Sequence, residues 1–176
     1  EWLLEFENYK TSPEFKLVNK HYEVGDFKQI FWWEYSHRAL GRIIGLTFII
    51  PLLYFYFGRK MDKRFTFKAL IALGLIISQG LLGWIMVKSG LNKAQHVNHF
   101  LLASHLLLAI STLIYIVYLK QSLKYSDGMN EVSAKIKRVA RITLFVIMLQ
   151  MILGALVAGL KAGYVYSTFP KMGANW

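Results

Sequence analysis

Two of the five histidines and one carboxylate lie where ionisable side chains are rare. Glu34 and His37 belong to the segment EYSHRALGR at 34–42, which opens one long apolar stretch, and His105 lies inside another. Ionisable groups at membrane depth are costly and usually functional. Imidazoles can ligate a metal, and a carboxylate one helical turn away can move protons or stabilise positive charge. These three side chains are therefore the first candidates for chemistry.

Four apolar stretches are long enough to hold these residues in a bilayer: 39–57, 69–87, 97–119 and 142–160. About 20 helical residues cross the hydrocarbon core. Arg42 is their only formal charge, and they lack the polar stripe of a soluble bundle helix. The sequence therefore predicts an all-α, polytopic transmembrane bundle with four spanning helices, preceded by an outer loop segment. Pro51 is expected to kink the first helix.

Basic residues are distributed unevenly between the linkers. The linkers at 58–68 and 120–141 carry 11 Lys and Arg in 33 residues, whereas the linker at 88–96 and the tail at 161–176 carry four in 25. Cations accumulate on the inner side of membranes. We therefore predict that the two basic linkers face inward and that the N-terminal segment faces outward. The net charge of +11 then reflects topology, and no nucleic-acid partner is expected.

The N-terminal segment is both acidic and aromatic, since seven of the ten acidic residues lie in the first 34. We expect this segment to be structured because its aromatic and aliphatic side chains can form one apolar face. Those side chains are Trp2, Phe6, Tyr9, Phe15, Phe27, Ile30, Phe31, Trp32 and Trp33.

Helical spacing from a start near Trp33 places Glu34, His37, Arg38 and Gly41 on one face. In one interpretation, Glu34 and Arg38 form an interfacial ion pair beside an aromatic belt of Trp32, Trp33 and Tyr35. In the other, this face is a binding site.

His105 favours the binding site, because it and His37 are both predicted in the outer half of the membrane. With no cysteine in the chain, two imidazoles fit the axial ligands of a haem iron better than a zinc site, which needs three or four ligands. Arg38 and Arg42 could then hold the haem propionates.

Other polar and small residues have simpler interpretations. We expect Gln79 and Gln150 to hydrogen-bond between helices, and we expect close helix approach at two G-x-x-x-G pairs. Those pairs are Gly41/Gly45 and Gly159/Gly163. No role is assigned to His21, His96 or His99.

Five motifs together resemble haem A synthase of the mitochondrial and alphaproteobacterial branch. They are EFENYKTSPEF at 5–15, EYSHRALGR at 34–42, QGLLGWIMVKSGL at 79–91, LASHL at 102–106, and LGALVAGLKAG at 153–163 with STFPKM at 167–172. The resemblance runs in order from end to end.

The resemblance implies an eight-helix protein made of two similar halves, of which this chain holds helices two to five. It would comprise an outer segment (1–36), three helices of the first half (37–119), a basic inner linker (120–141), and the first helix of the second half with an outer tail (142–176). We therefore expect the chain to be a piece of a longer membrane oxidoreductase.

Family members oxidise a methyl group of haem O to the formyl group of haem A for cytochrome oxidase biogenesis. By motif match, His37 and His105 would be axial ligands of the haem substrate, and Glu34 the carboxylate near its reacting edge. A permanent haem b would belong to the other half. Leu101 replaces a frequent family arginine, so one propionate contact would be either missing or made by His99 or Lys161. The cysteine pair of other branches is absent.

The resemblance also implies partners and a location. These are the lipid bilayer, haem O synthase, an electron donor such as a ferredoxin, and a homo-oligomer, in a bacterial plasma membrane or a mitochondrial inner membrane.

Two alternatives remain open. A dihistidine cytochrome that only carries electrons would use both histidines but not Glu34. A cofactor-free anchor or assembly subunit would use none of the three.

Overall fold

The computed structural model describes residues 1–93, 98–124, 132–165, 168, 171 and 173. His96 lies outside them. The described helices are α1 (Trp2–Lys10), α2 (Pro13–Leu17), α3 (Val24–Phe57), α4 (Lys63–Lys93), α5 (His99–Lys124) and α6 (Ala134–Gly159), followed by a 3₁₀ turn at Ala162–Tyr164. The chain divides into two compact units, Glu1–Val97 and Asn98–Trp176.

Four of the described helices are long and apolar enough to cross a membrane. They are Val24–Phe57, Lys63–Ser89, His99–Leu123 and Ala134–Gly159. Large apolar side chains along them are exposed, as Phe57 at 75% and Phe145 at 67% illustrate. Such extended apolar surfaces are unfavourable in water and suit hydrocarbon. The predicted all-α polytopic bundle with four spanning helices is confirmed.

Two spanning helices begin earlier than the apolar pattern indicates. α3 begins at Val24, well before Trp33, because Glu23 and Asp26 form a reciprocal capping box in which the Glu23 backbone N–H donates to Asp26 Oδ2 at 3.0 Å. α6 begins at Ala134, so the basic residues between Lys135 and Arg141 lie on its first turns instead of in a loop. Pro51 lies inside α3 without ending it.

The outer cap is named for the side of the membrane on which the sequence predicts it, and it comprises α1, α2 and the first turns of α3 up to Phe31. Aromatic rings hold it together. In it, α1 packs on α3, with ring centroids 5.1 Å apart for Trp2 and Phe31 and 5.6 Å apart for Phe6 and Phe27. Phe6 and Phe27 are among the most buried apolar side chains of the described chain. The expectation of a structured N-terminal segment is therefore confirmed, although Trp33 is exposed and stays outside the cluster.

A buried amide supplies the polar contact inside the outer cap. Asn19 Nδ2 donates to the Tyr9 hydroxyl at 2.8 Å and to Glu14 Oε1 at 3.4 Å. Burial raises the pKa of Tyr9 above its ordinary value; the hydrogen bond from Asn19 opposes this shift, and the negative charges of Glu14 and Glu34 add to it. The neutral phenol is thus the form that the folded cap favours.

The raised pKa of Tyr9 predicts a pH limit for the outer cap. A group whose pKa is raised on folding contributes stability that is complete below its unfolded pKa, about 10 for tyrosine, and is lost as pH rises through the folded pKa. Titration of tyrosinate absorbance should show one tyrosine ionising later than exposed ones, accompanied by loosening of the cap. Tyr9→Phe should remove that late transition. If the transition persists in Tyr9→Phe, its assignment to Tyr9 is wrong.

The second unit contains α5 and α6, which pack against each other and come into close contact at Gly159. A Cβ added there would lie 2.7 Å from His99 Cβ and 2.9 Å from His99 Cα, distances that atoms do not tolerate without movement. A Cβ at Gly41, Gly45 or Gly163 would meet no atom within 4 Å. Of the four glycines in the two predicted G-x-x-x-G pairs, only Gly159 makes a close approach in the described structure.

This contact predicts that alanine substitutions of two glycines on α6 change the free energy of unfolding in opposite directions. Gly159→Ala should lower the free energy of unfolding by about 1–3 kcal/mol, because the added methyl group meets the α5 backbone. Gly154→Ala has open space and should raise it by up to about 1 kcal/mol through helix propensity. Thermal unfolding of the full-length protein in detergent checks both changes, and equal effects would contradict the packing at Gly159.

Candidate functional site

The segment predicted to carry chemistry lies on α3 directly after the outer cap. Arg38 Nη2 donates to Glu34 Oε2 across one helical turn, so the ion pair expected from the spacing is present. Both side chains are about half exposed. Glu34 also contributes to the raised pKa of Tyr9, which places its charge within electrostatic reach of the cap. Sequence reasoning missed this proximity of the cap to Glu34.

His37 lies one turn before Gly41 on the same helix and is exposed. Its imidazole makes no hydrogen bond or ion pair with any residue in the described part of the chain. Gly41 and Gly45 continue this side of α3 as an open strip, since a Cβ at either position would contact nothing within 4 Å. A free imidazole above a flat, open strip suits an axial ligand beside a planar apolar ring.

Arg42 completes the polar end of this surface. It is exposed and, within the described ranges, has no carboxylate partner. Arg38 is already engaged by Glu34, whereas Arg42 has its donors available for an anionic group. Of the two predicted propionate contacts on α3, Arg42 is thus the cation without a competing partner.

His105 belongs to the second unit, on α5. It is half-buried and takes part in a polar or ring contact of its own. Leu101 lies one turn before it and is also half-buried. His99 forms the first residue of α5, where Asn98 Oδ1 caps the helix by accepting from the Phe100 backbone N–H at 2.8 Å. His105 therefore lies about 9 Å along the helix axis from the N-terminal end of α5.

Lys161 lies at that same end of the second unit, two residues beyond the Gly159 contact with His99. It is exposed and has a left-handed backbone with φ of 52°. This conformation is unfavourable for a residue with a Cβ and is usually given to glycine after a helix. Non-glycine residues in such conformations concentrate at functional sites. The sequence had suggested Lys161 only as a substitute for an arginine at 101.

The remaining predicted polar residues lie apart from this chemistry. His21 is exposed in the loop before α3, Gln79 is half-buried on α4, and Gln150 is exposed on α6. In the described ranges, no group of three or more His, Asp or Glu side chains is arranged to hold a metal ion. Single imidazoles such as His37 can serve as axial ligands of an iron that a porphyrin already holds.

Comparison with known proteins assigns the family. The model of a family described as cytochrome oxidase assembly protein, COX15-CtaA, matches residues 1–176. The chain belongs to the COX15-CtaA family.

Relatives of this family member carry one name. This chain is 43% identical over 173 residues to the "Heme A synthase" of Flavobacterium psychrophilum. The matched region covers 97% of this chain and 51% of the relative. This chain is 41% identical over 191 residues to the "Heme A synthase" of Orientia tsutsugamushi strain Ikeda, with 98% of this chain and 53% of the relative covered. It is 42% identical over 180 residues to the "Heme A synthase" of Rickettsia canadensis, with 99% of this chain and 53% of the relative covered. The chain spans about half the length of these curated relatives. No solved structure matches it.

Two substitutions of Lys161 distinguish the effect of its left-handed backbone on stability from the effect of its charge. Lys161→Gly should raise the free energy of unfolding by about 1 kcal/mol, because glycine adopts positive φ without a Cβ clash. Lys161→Gln keeps the backbone strain and removes only the charge, so it should leave stability unchanged. Thermal unfolding of both variants checks this. No gain for Lys161→Gly would show that the left-handed conformation carries no strain.

Proposed function

We propose that the full-length protein is a haem A synthase, which oxidises a methyl group of haem O to the formyl group of haem A for cytochrome oxidase. The observation that carries this proposal is the free imidazole of His37 on the open glycine strip of α3, one turn from the Glu34–Arg38 pair. The name shared by the relatives supports the same activity.

Each predicted residue has a role in this proposal. His37 and His105 would be the axial ligands of the haem substrate, which supplies the iron and the methyl group to be oxidised. Arg42 and Lys161 would bind propionates, and Arg38 would share its guanidinium between Glu34 and a propionate. A permanent haem b would be held by the half of the protein that follows the linker at 120–141.

Glu34 would act on protons at the edge of the substrate. Glu34 forms an ion pair with Arg38, and a carboxylate at this position can accept a proton or stabilise positive charge. The outer cap would limit the access of water to this carboxylate from outside. A simple electron carrier would have no use for Glu34.

The protein is a multi-pass membrane protein, and we propose its orientation and partners from charge and family. The N-terminal segment would face the periplasm or the intermembrane space, and the basic linkers the cytoplasm or matrix. Haem O synthase would supply the substrate, a ferredoxin-like protein the electrons, and the protein would form a homo-oligomer.

Variants of the full-length protein test these roles. His37→Ala and His105→Ala should each lose bound haem O, and Glu34→Gln should retain it while turnover falls by roughly 10²–10⁴-fold, the usual contribution of a general acid or base. His21→Ala, in an exposed outer loop, is the control and should behave as wild type. Extracted haems, identified by mass, provide the measurement.

The possible outcomes separate the alternatives. Accumulation of haem O or a hydroxylated product in Glu34→Gln supports the synthase. Haem b alone, with no effect of Glu34→Gln, would instead indicate an electron carrier. No haem in any of these proteins, wild type included, would indicate a cofactor-free anchor.

A further inference from the structure

The first turns of α6 carry four cations that have no role in the proposed reaction. Lys135, Lys137, Arg138 and Arg141 are all exposed, and so is every described residue from 132 to 147. None of the four forms an ion pair with another residue in the parts of the chain that the structure describes. This end of α6 is therefore an unpaired, strongly basic surface.

The helical period arranges these cations on one side. At 100° per residue, the four fall within about 160° of the helix circumference, and Ile136, Val139 and Ala140 occupy the remainder. Ile136 and Val139 are 61% and 56% exposed. The first two turns of α6 thus form a short amphipathic helix with a basic and an apolar side.

The position of the cations is unfavourable for an isolated helix. Like charges three or four residues apart repel each other, and cations near a helix N-terminus oppose the helix dipole. The first turn contains no acidic residue, and Ser133 makes no side-chain capping hydrogen bond. Among the four cations, Arg141 alone has an acceptor in the described ranges, since its Nε donates to the Lys137 carbonyl oxygen at 3.4 Å. An external anion would relieve each of these costs.

We propose that the first two turns of α6 bind the phosphate groups of anionic phospholipids in the leaflet that this end of the helix reaches. The cations directly precede the apolar span that begins at Ile142, so they lie at headgroup depth. The exposed Ile136 and Val139 continue the apolar surface of this span up to the cations, where lipid chains meet their headgroups. A water-soluble acidic partner would leave these apolar side chains in water.

Lipid affinity of the full-length protein in detergent tests this site. Phosphatidylglycerol binding, measured by native mass spectrometry, should weaken about fivefold for each charge removed in Arg138→Gln/Arg141→Gln, since each cation near an anionic membrane surface contributes roughly one factor of this size. Arg138→Lys/Arg141→Lys should keep the affinity. Lys16→Gln/Lys20→Gln removes two exposed cations from the N-terminal segment, which is predicted on the opposite side of the membrane, and should leave the affinity unchanged.

Three results would overturn the proposal. Equal weakening by Lys16→Gln/Lys20→Gln would show a general charge effect. Equal binding of phosphatidylcholine would remove the requirement for an anionic lipid, and displacement by inorganic phosphate would show a site for free phosphate. Hydrogen exchange of the 132–141 segment provides a second measurement, because lipid binding should slow it several-fold in wild type but not in Arg138→Gln/Arg141→Gln.

Discussion

The absence of water from hydrocarbon determines most of this structure. Backbone N–H and C=O groups in a bilayer must be paired within the segment, which makes long helices the available solution. The same medium makes each ionisable side chain in a helix costly, so such groups persist where they have a partner or a function. His37, Arg42 and His105 are ionisable residues in these apolar helices, and each is a candidate for function.

The outer cap connects a water-facing aromatic core to the apolar helix α3, which continues into the predicted span. Its aromatic core uses ordinary burial from water, while the helix that it covers continues into the span without interruption. Glu34 and Arg38 lie at this junction, where the pair is only half exposed. In the proposed function, a carboxylate held here would be close enough to water to exchange protons and close enough to the apolar span to act on a membrane-soluble substrate.

Much of the fold could be predicted because composition alone identifies helices that cross a membrane. The ends of these helices could not be predicted from composition, because helix ends depend on local hydrogen bonds. Glu23 and Asp26 cap α3 well before its apolar stretch begins, and the spacing of these two residues was a signal that could have shown it. The glycine pairs were ambiguous for another reason. Small residues permit close approach of helices but do not require it. Of these four glycines, only Gly159 lies at a close helix contact in the described structure. The left-handed Lys161 had no sequence signal, because glycine is the usual residue at that position.

Chemical rescue of His37 tests the central claim most directly. Full-length His37→Gly should lose low-spin haem O, and added imidazole should restore it, because the free ligand can occupy the open space that the side chain leaves beside Gly41. His21→Gly should need no imidazole. Haem O that remains low-spin in His37→Gly without imidazole would contradict the assignment of His37 as an axial ligand, and with it the site on α3.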